Sequence, residues 1–133
     1  MLVSRSTRSS SVLLAPRSPG WWVELTGIAH LGFAAVKFRD ELTEIGRTGL
    51  VDAVPLKGPR ATAFWFTVAA PAMWTSGAML RSAEDSGDLR AQRVGGAALA
   101  ATGLVGVAAI PSSGFWALIA TGIAAARRGS KAR

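Results

Sequence analysis

The chain has no cysteine, no tyrosine and a single histidine, and it is poor in charge. The missing cysteine excludes a disulfide framework, a thiol redox centre and a thiolate metal site. One histidine excludes a cluster of His ligands and bis-His haem ligation within one chain. Charged residues make up 17% of the sequence, against roughly 25% in an ordinary soluble domain. No Gly-rich phosphate loop, nucleophile elbow or zinc-binding helix motif occurs. The sequence therefore supports neither hydrolase nor kinase chemistry. It assigns no catalytic residue and no metal ligand, and it leaves any cofactor unknown.

What is present is apolar. The chain has 133 residues, half of them hydrophobic, with five Trp and a formal net charge of +7. That length suits one domain. A charge this basic can mark nucleic-acid binding. Here the basic residues sit at the ends of apolar runs rather than on one face, so no nucleic-acid partner is expected. Residues 1–20 hold Arg5, Arg8 and Arg17, seven Ser or Thr, two Pro and no acid. Their one apolar run, Val12 to Ala15, is too short for a signal-peptide core. Residues 1–19 read as a disordered cytoplasmic tail, or as the product of a mis-assigned start codon.

Four apolar segments follow, at about 20–38, 61–80, 94–110 and 112–128. The first opens on Trp21 and Trp22 and closes at Lys37 and Arg39, and spans roughly 28 Å at 1.5 Å per residue. The second has no charge between Arg60 and Arg81, and Pro71 predicts a kink in it. From Val94 to Ala126 there is again no charge, and Pro111-Ser-Ser-Gly114 divides this stretch as a tight helical turn. A re-entrant hairpin that does not cross is the rival reading of the last two segments. Ala98, Thr102 and Gly106, with Ala120 and Ala124, recur every four residues and predict a tight helix pair. Between the first two segments, Leu42, Ile45, Gly46, Gly49, Leu50 and Ala53 share one helical face, the pattern of a short amphipathic helix.

These features predict an all-α fold: an integral membrane four-helix bundle with a short amphipathic segment in its first loop and a basic tail at 129–133. Ten Lys and Arg flank one side and five the other. The positive-inside rule then places both termini in the cytoplasm of a multi-pass cell-membrane protein. The lipid bilayer is the expected partner, with a homodimer or a membrane partner protein left open.

Four pieces carry a resemblance: Gly27-Ile-Ala-His30-Leu-Gly-Phe33, Gly49-Leu-Val-Asp52-Ala-Val54, Arg60-Ala-Thr-Ala-Phe64-Trp65-Phe66 and Ile110-Pro-Ser-Ser-Gly-Phe115-Trp116. Together they resemble a family of small bacterial four-helix membrane proteins known only as a domain of unknown function, over about residues 20–128. The order Leu31-Gly-Phe33 after His30 departs from the family's pattern. The resemblance implies a four-helix membrane fold and supplies no activity. A distant likeness to DoxX-like proteins is one of architecture alone.

Five residues stand out as ligand or proton-relay candidates: His30, Glu24, Trp65, Trp74 and Trp116. An ionisable His30 in mid-helix could relay a proton or bind a polar ligand group. The bland alternative is an imidazole bonding a neighbouring helix through Thr67, Thr75 or Thr102. Glu24 could accept a proton in coupled transport, or could simply favour the positive end of its helix dipole. Six residues separate the two, so they point to different sides of the helix. Trp65, Trp74 and Trp116, with Phe64, Phe66 and Phe115, could line an aromatic pocket, or serve as interface anchors and packing. Glu84, Asp85 and Asp88 lack the ligand spacing of a calcium loop and read as a solvated turn.

The reading that follows is a non-enzymatic protein that binds or passes a small apolar or amphipathic molecule within a helical bundle. The alternatives are an accessory subunit of a membrane oxidoreductase, suggested by the DoxX-like likeness, and a small proton-coupled exporter. Small multidrug transporters share four helices and an acid in the first, but the spacing around Glu24 does not reproduce their pattern.

Overall fold

The computed structural model describes residues 17–131 except Leu50. The N-terminal tail apart from Arg17 and the two residues that follow, Leu50 in the first-loop pattern, and the end of the basic tail lie outside the described residues. The described chain is all-α: α1 Pro19–Lys37, α2 Arg39–Thr48, α3 Pro59–Asp85, α4 Leu89–Ala109 and α5 Phe115–Ser130.

Local chemistry marks several of the helix ends. Ser18 caps α1, its Oγ accepting from the Trp21 amide at 3.3 Å, and Pro19 takes the first turn, where its missing N–H costs nothing. α1 stops at Phe38, and α2 starts at the next residue. α2 carries Asp40 and Glu41 in its first turn and Arg47 in its last, complementing its dipole. This helix takes up the first half of the expected amphipathic segment, Leu42, Ile45 and Gly46, while Gly49 and Ala53 lie beyond its end. α3 ends on Ser86 with Gly87 at φ 70°. The Gly87 amide bonds Glu84 O and the Asp88 amide bonds Ala83 O, the paired bonds of a Schellman motif. Asp88 then caps α4, its Oδ1 accepting from the Ala91 amide at 2.9 Å. The buried Gln92 side chain donates to Ala83 O at 3.1 Å, tying the two helices across the turn.

The helices pair as two antiparallel hairpins, α1 with α3 and α4 with α5, which touch each other far less than they touch internally. Glycine makes both seams close. A Cβ at Gly77 would lie 2.5 Å from the Glu24 amide nitrogen, and one at Gly122 would lie 2.5 Å from that of Ala100. Backbone therefore meets backbone. Of the predicted small-residue stripe only Gly106 lies in the seam, and the rest of the seam uses other positions. Gly96, Gly103 and Gly106 of α4 and Leu118, Gly122, Ala125 and Gly129 of α5 are buried, whereas Ala98, Thr102, Ala120 and Ala124 are exposed.

The membrane expectation is overturned. Among the described residues, no helix is long and apolar enough to cross a membrane. The reading as an integral membrane, transmembrane bundle falls, and with it the multi-pass cell-membrane location and the cytoplasmic placing of both termini. The physical reason lies in what fills the runs. α1 contains Glu24 and His30 and ends on Lys37, and α3 carries Arg60 in its first turn and Arg81, Glu84 and Asp85 at its end. α4 is largely Ala and Gly, which bury little surface per residue. α5 has 16 residues, two of them Arg127 and Arg128. An uncharged run is not the same as a strongly apolar one.

Candidate functional site

Two clusters bridge α1 and α3. At the N-terminal end of α1, the Arg81 guanidinium pairs with the Glu24 carboxylate at 2.7 Å. Glu24 is only 13% exposed at its side chain, and Arg81 is 46% exposed. Beside them the Gly20 amide donates to Glu84 Oε1 at 3.2 Å. This amide belongs to the first turn of α1, where N–H groups have no partner within the helix. Glu84 therefore caps α1 from 64 residues away. Its other oxygen, Oε2, is buried without a hydrogen-bond partner. Arg17 lies over the Trp21 ring at 4.1 Å, a cation–π contact at the same end.

The second cluster surrounds His30. Its Nε2 lies 3.0 Å from Phe66 O. A carbonyl only accepts, so Nε2 carries the proton. The imidazole also stacks on the Phe66 ring, with centroids 3.9 Å apart and planes 15° from parallel. Phe33 and Phe38 close around the same ring at 5.9 and 5.2 Å. His30 thus bonds a neighbouring helix, but through a main-chain carbonyl. Thr67, Thr75 and Thr102 each donate to the carbonyl four residues back in their own helix.

The three Trp candidates lie largely at the surface. Trp65, Trp74 and Trp116 are 65%, 49% and 58% exposed. Trp116 donates its Nε1–H to Pro111 O at 3.0 Å, bracing the α4–α5 turn. Phe115 is the aromatic that turns inward there: a Cβ at Gly106 would run into its ring. Glu24 and His30 keep separate partners and form no pair. Sequence reasoning missed Glu84, which it assigned to a solvated turn. No local pattern reports a cap supplied across the fold.

The third feature is an open groove of about 420 Å³ where α4 meets the C-terminal half of α5. Ala100, Ile123 and Ala126 form its apolar wall, and Arg127, Ser130 and Lys131 its polar end. Among the described residues, no group of three or more His, Asp or Glu could hold a metal ion.

A profile described as a family of unknown function, DUF6463, matches residues 15–132. The chain belongs to that family. The match takes in both hairpins and α2, so all three features above lie inside the family's domain. No curated protein matches the chain. No solved structure matches it either. Family membership supplies no activity, and the functional reading rests on the residues themselves.

Proposed function

We propose that the protein acts by binding, without catalysis, and that it takes a small amphipathic molecule along the open groove of the α4–α5 hairpin. The observation that carries this reading is the groove's composition: an apolar wall of Ala100, Ile123 and Ala126 continuing into Arg127, Ser130 and Lys131. Its volume of about 420 Å³ falls within the range of small-molecule sites, roughly 300–1,000 Å³. From Ile123 to Lys131 it follows eight residues of chain, about 12 Å at helical rise.

The seams inside the two hairpins offer no such room. Gly77 against Glu24 and Gly122 against Ala100 bring the backbones too close for a guest to lie between them. The molecule therefore sits on the outside of a hairpin and does not thread through its interior. In this reading Glu24 and His30 hold α1 against α3 and relay no proton, and Trp116 braces the α4–α5 turn.

The test is a titration of the full chain, methyl-labelled at Ala and Ile, with a short alkyl amphiphile below its micelle-forming concentration. Shifts concentrated at Ala100, Ile123 and Ala126, and abolished by Ile123→Glu, are the expected result. Shifts spread evenly over all exposed methyls, or none, would reject the reading.

A further inference from the structure

We infer that the α4–α5 groove selects single-chain amphipathic anions, with the head held by Arg127 and Lys131 and the chain laid along Ala100, Ile123 and Ala126. The inference rests on the binding reading above and adds the polarity and orientation of the guest.

Arg127 and Lys131 stand four residues apart, so a helical path brings them to one face a turn apart. Both line the same groove end. Among the described residues the one ion pair is Glu24–Arg81, so neither groove cation is held by a carboxylate there. Arg presents a planar fork that matches a carboxylate bidentately, and Lys adds a compact point charge. Ser130 contributes a hydroxyl at the same end; it already donates to Ala126 O at 2.9 Å, which leaves its lone pairs rather than its proton facing outward. The head is therefore read by the two cations.

One effect opposes this assignment. α5 ends at Ser130, and the C-terminus of a helix carries about half a negative charge. Two full cations outweigh that half charge, and Arg128 in the same last turn adds a third. The last turn of α5 therefore carries a net positive charge. The opposite end of the groove, at Ala100 and Ile123, offers nothing polar from a side chain. An anionic head there would lose hydration without a partner, so the orientation is fixed.

The experiment is calorimetric titration of the full chain with three probes of equal chain length: decanoate, decanol and decyltrimethylammonium, each below its aggregation threshold. Decanoate is expected to bind about tenfold more tightly than the cation, a modest preference because the charges are exposed. Added salt should shrink that preference. The double substitution Arg127→Gln and Lys131→Gln should erase it while decanol binding persists. Arg128→Gln, outside the groove lining, should leave most of it. Equal binding of all three probes would overturn the anion inference and leave the binding reading standing. A decanoate preference that survives the double substitution would also overturn it. Failure of every probe to bind would overturn both.

Discussion

Glu24 of α1 and Arg81 of α3 meet at 2.7 Å between two glycine contacts that bring their own backbones together. Gly77 lies against the backbone nitrogen of Glu24, and Gly20 against that of Arg81. Close backbone approach sets the distance, and the ion pair closes over it. The two partners are not equivalent, because Glu24 is much the more buried. Arg81→Ala leaves a part-buried carboxylate without its partner, whereas Glu24→Gln leaves an exposed guanidinium that water can solvate. We expect the Arg81 substitution to cost more stability. Solvent screening at Arg81 keeps the coupling between them to about 0.5–1 kcal/mol. A double-mutant cycle by chemical denaturation measures both quantities. Equal single-mutant costs with no coupling would refute the asymmetry.

The glycine contacts make a sharper prediction. Gly77→Ala sets a methyl 2.5 Å from a main-chain nitrogen, an obstacle that cannot rotate away. Helix propensity favours Ala by about 1 kcal/mol, but overpacking of this kind costs roughly 1–3 kcal/mol or more. Gly77→Ala should therefore destabilise the protein. Gly32 lies in the middle of α1 with nothing within 4 Å of its would-be Cβ, so Gly32→Ala should stabilise it by up to about 1 kcal/mol. Thermal melts of the two variants must move in opposite directions. A shift of the same sign for both would show that the close approach is not what holds the seam.

How far these features could be read from the sequence depends on their range. The pairing of α4 with α5 was legible, because Pro111 to Gly114 interrupts two apolar runs and leaves only a short turn. Which face they share was not. With Ala or Gly at most α4 positions, several small-residue stripes have the same spacing, and Ala98–Thr102–Gly106 looked as suitable as the Gly96–Gly103–Gly106 seam that forms. The membrane reading failed for a related reason: absence of charge was counted as apolarity. For His30 the bland alternative, a bond to a neighbouring helix, is the one that forms, but its partner is the carbonyl of Phe66 rather than a Thr hydroxyl. Main-chain acceptors are present at every position, so sequence cannot distinguish one. Glu84 lies beyond local reasoning altogether, since its partner Gly20 is 64 residues away.

The contact at His30 fixes a tautomer. Phe66 O can only accept, so the Nε2–H form is expected. Nitrogen-detected NMR of the imidazole should show it, with Nδ1 unprotonated in the neutral ring. His30→Phe keeps the stack on Phe66 and loses the hydrogen bond, a cost of about 1 kcal/mol. His30→Ala loses both and should cost about 2–3 kcal/mol. If the Nδ1–H form dominates, or if the two variants are equally stable, the bond to α3 is not what positions this ring.

Glu84 separates capping from charge. Glu84→Gln keeps an oxygen able to accept from the Gly20 amide, whereas Glu84→Ala removes it. The carboxylate also adds attraction to the positive end of α1, worth about 0.3–1 kcal/mol near a surface. Against that, its Oε2 is buried unpartnered, and burying a charged oxygen there costs more free energy than burying the neutral amide group that Gln puts in its place. The two carboxylate effects oppose each other, so Glu84→Gln should sit near the parent stability. Glu84→Ala should lose about 1 kcal/mol, the usual cost of a deleted cap. Hydrogen exchange at the Gly20 amide provides the local readout: it should quicken in the Ala variant and change little in the Gln variant. Unchanged exchange in Glu84→Ala would mean that Ser18 and Pro19 hold the start of α1 without help from α3.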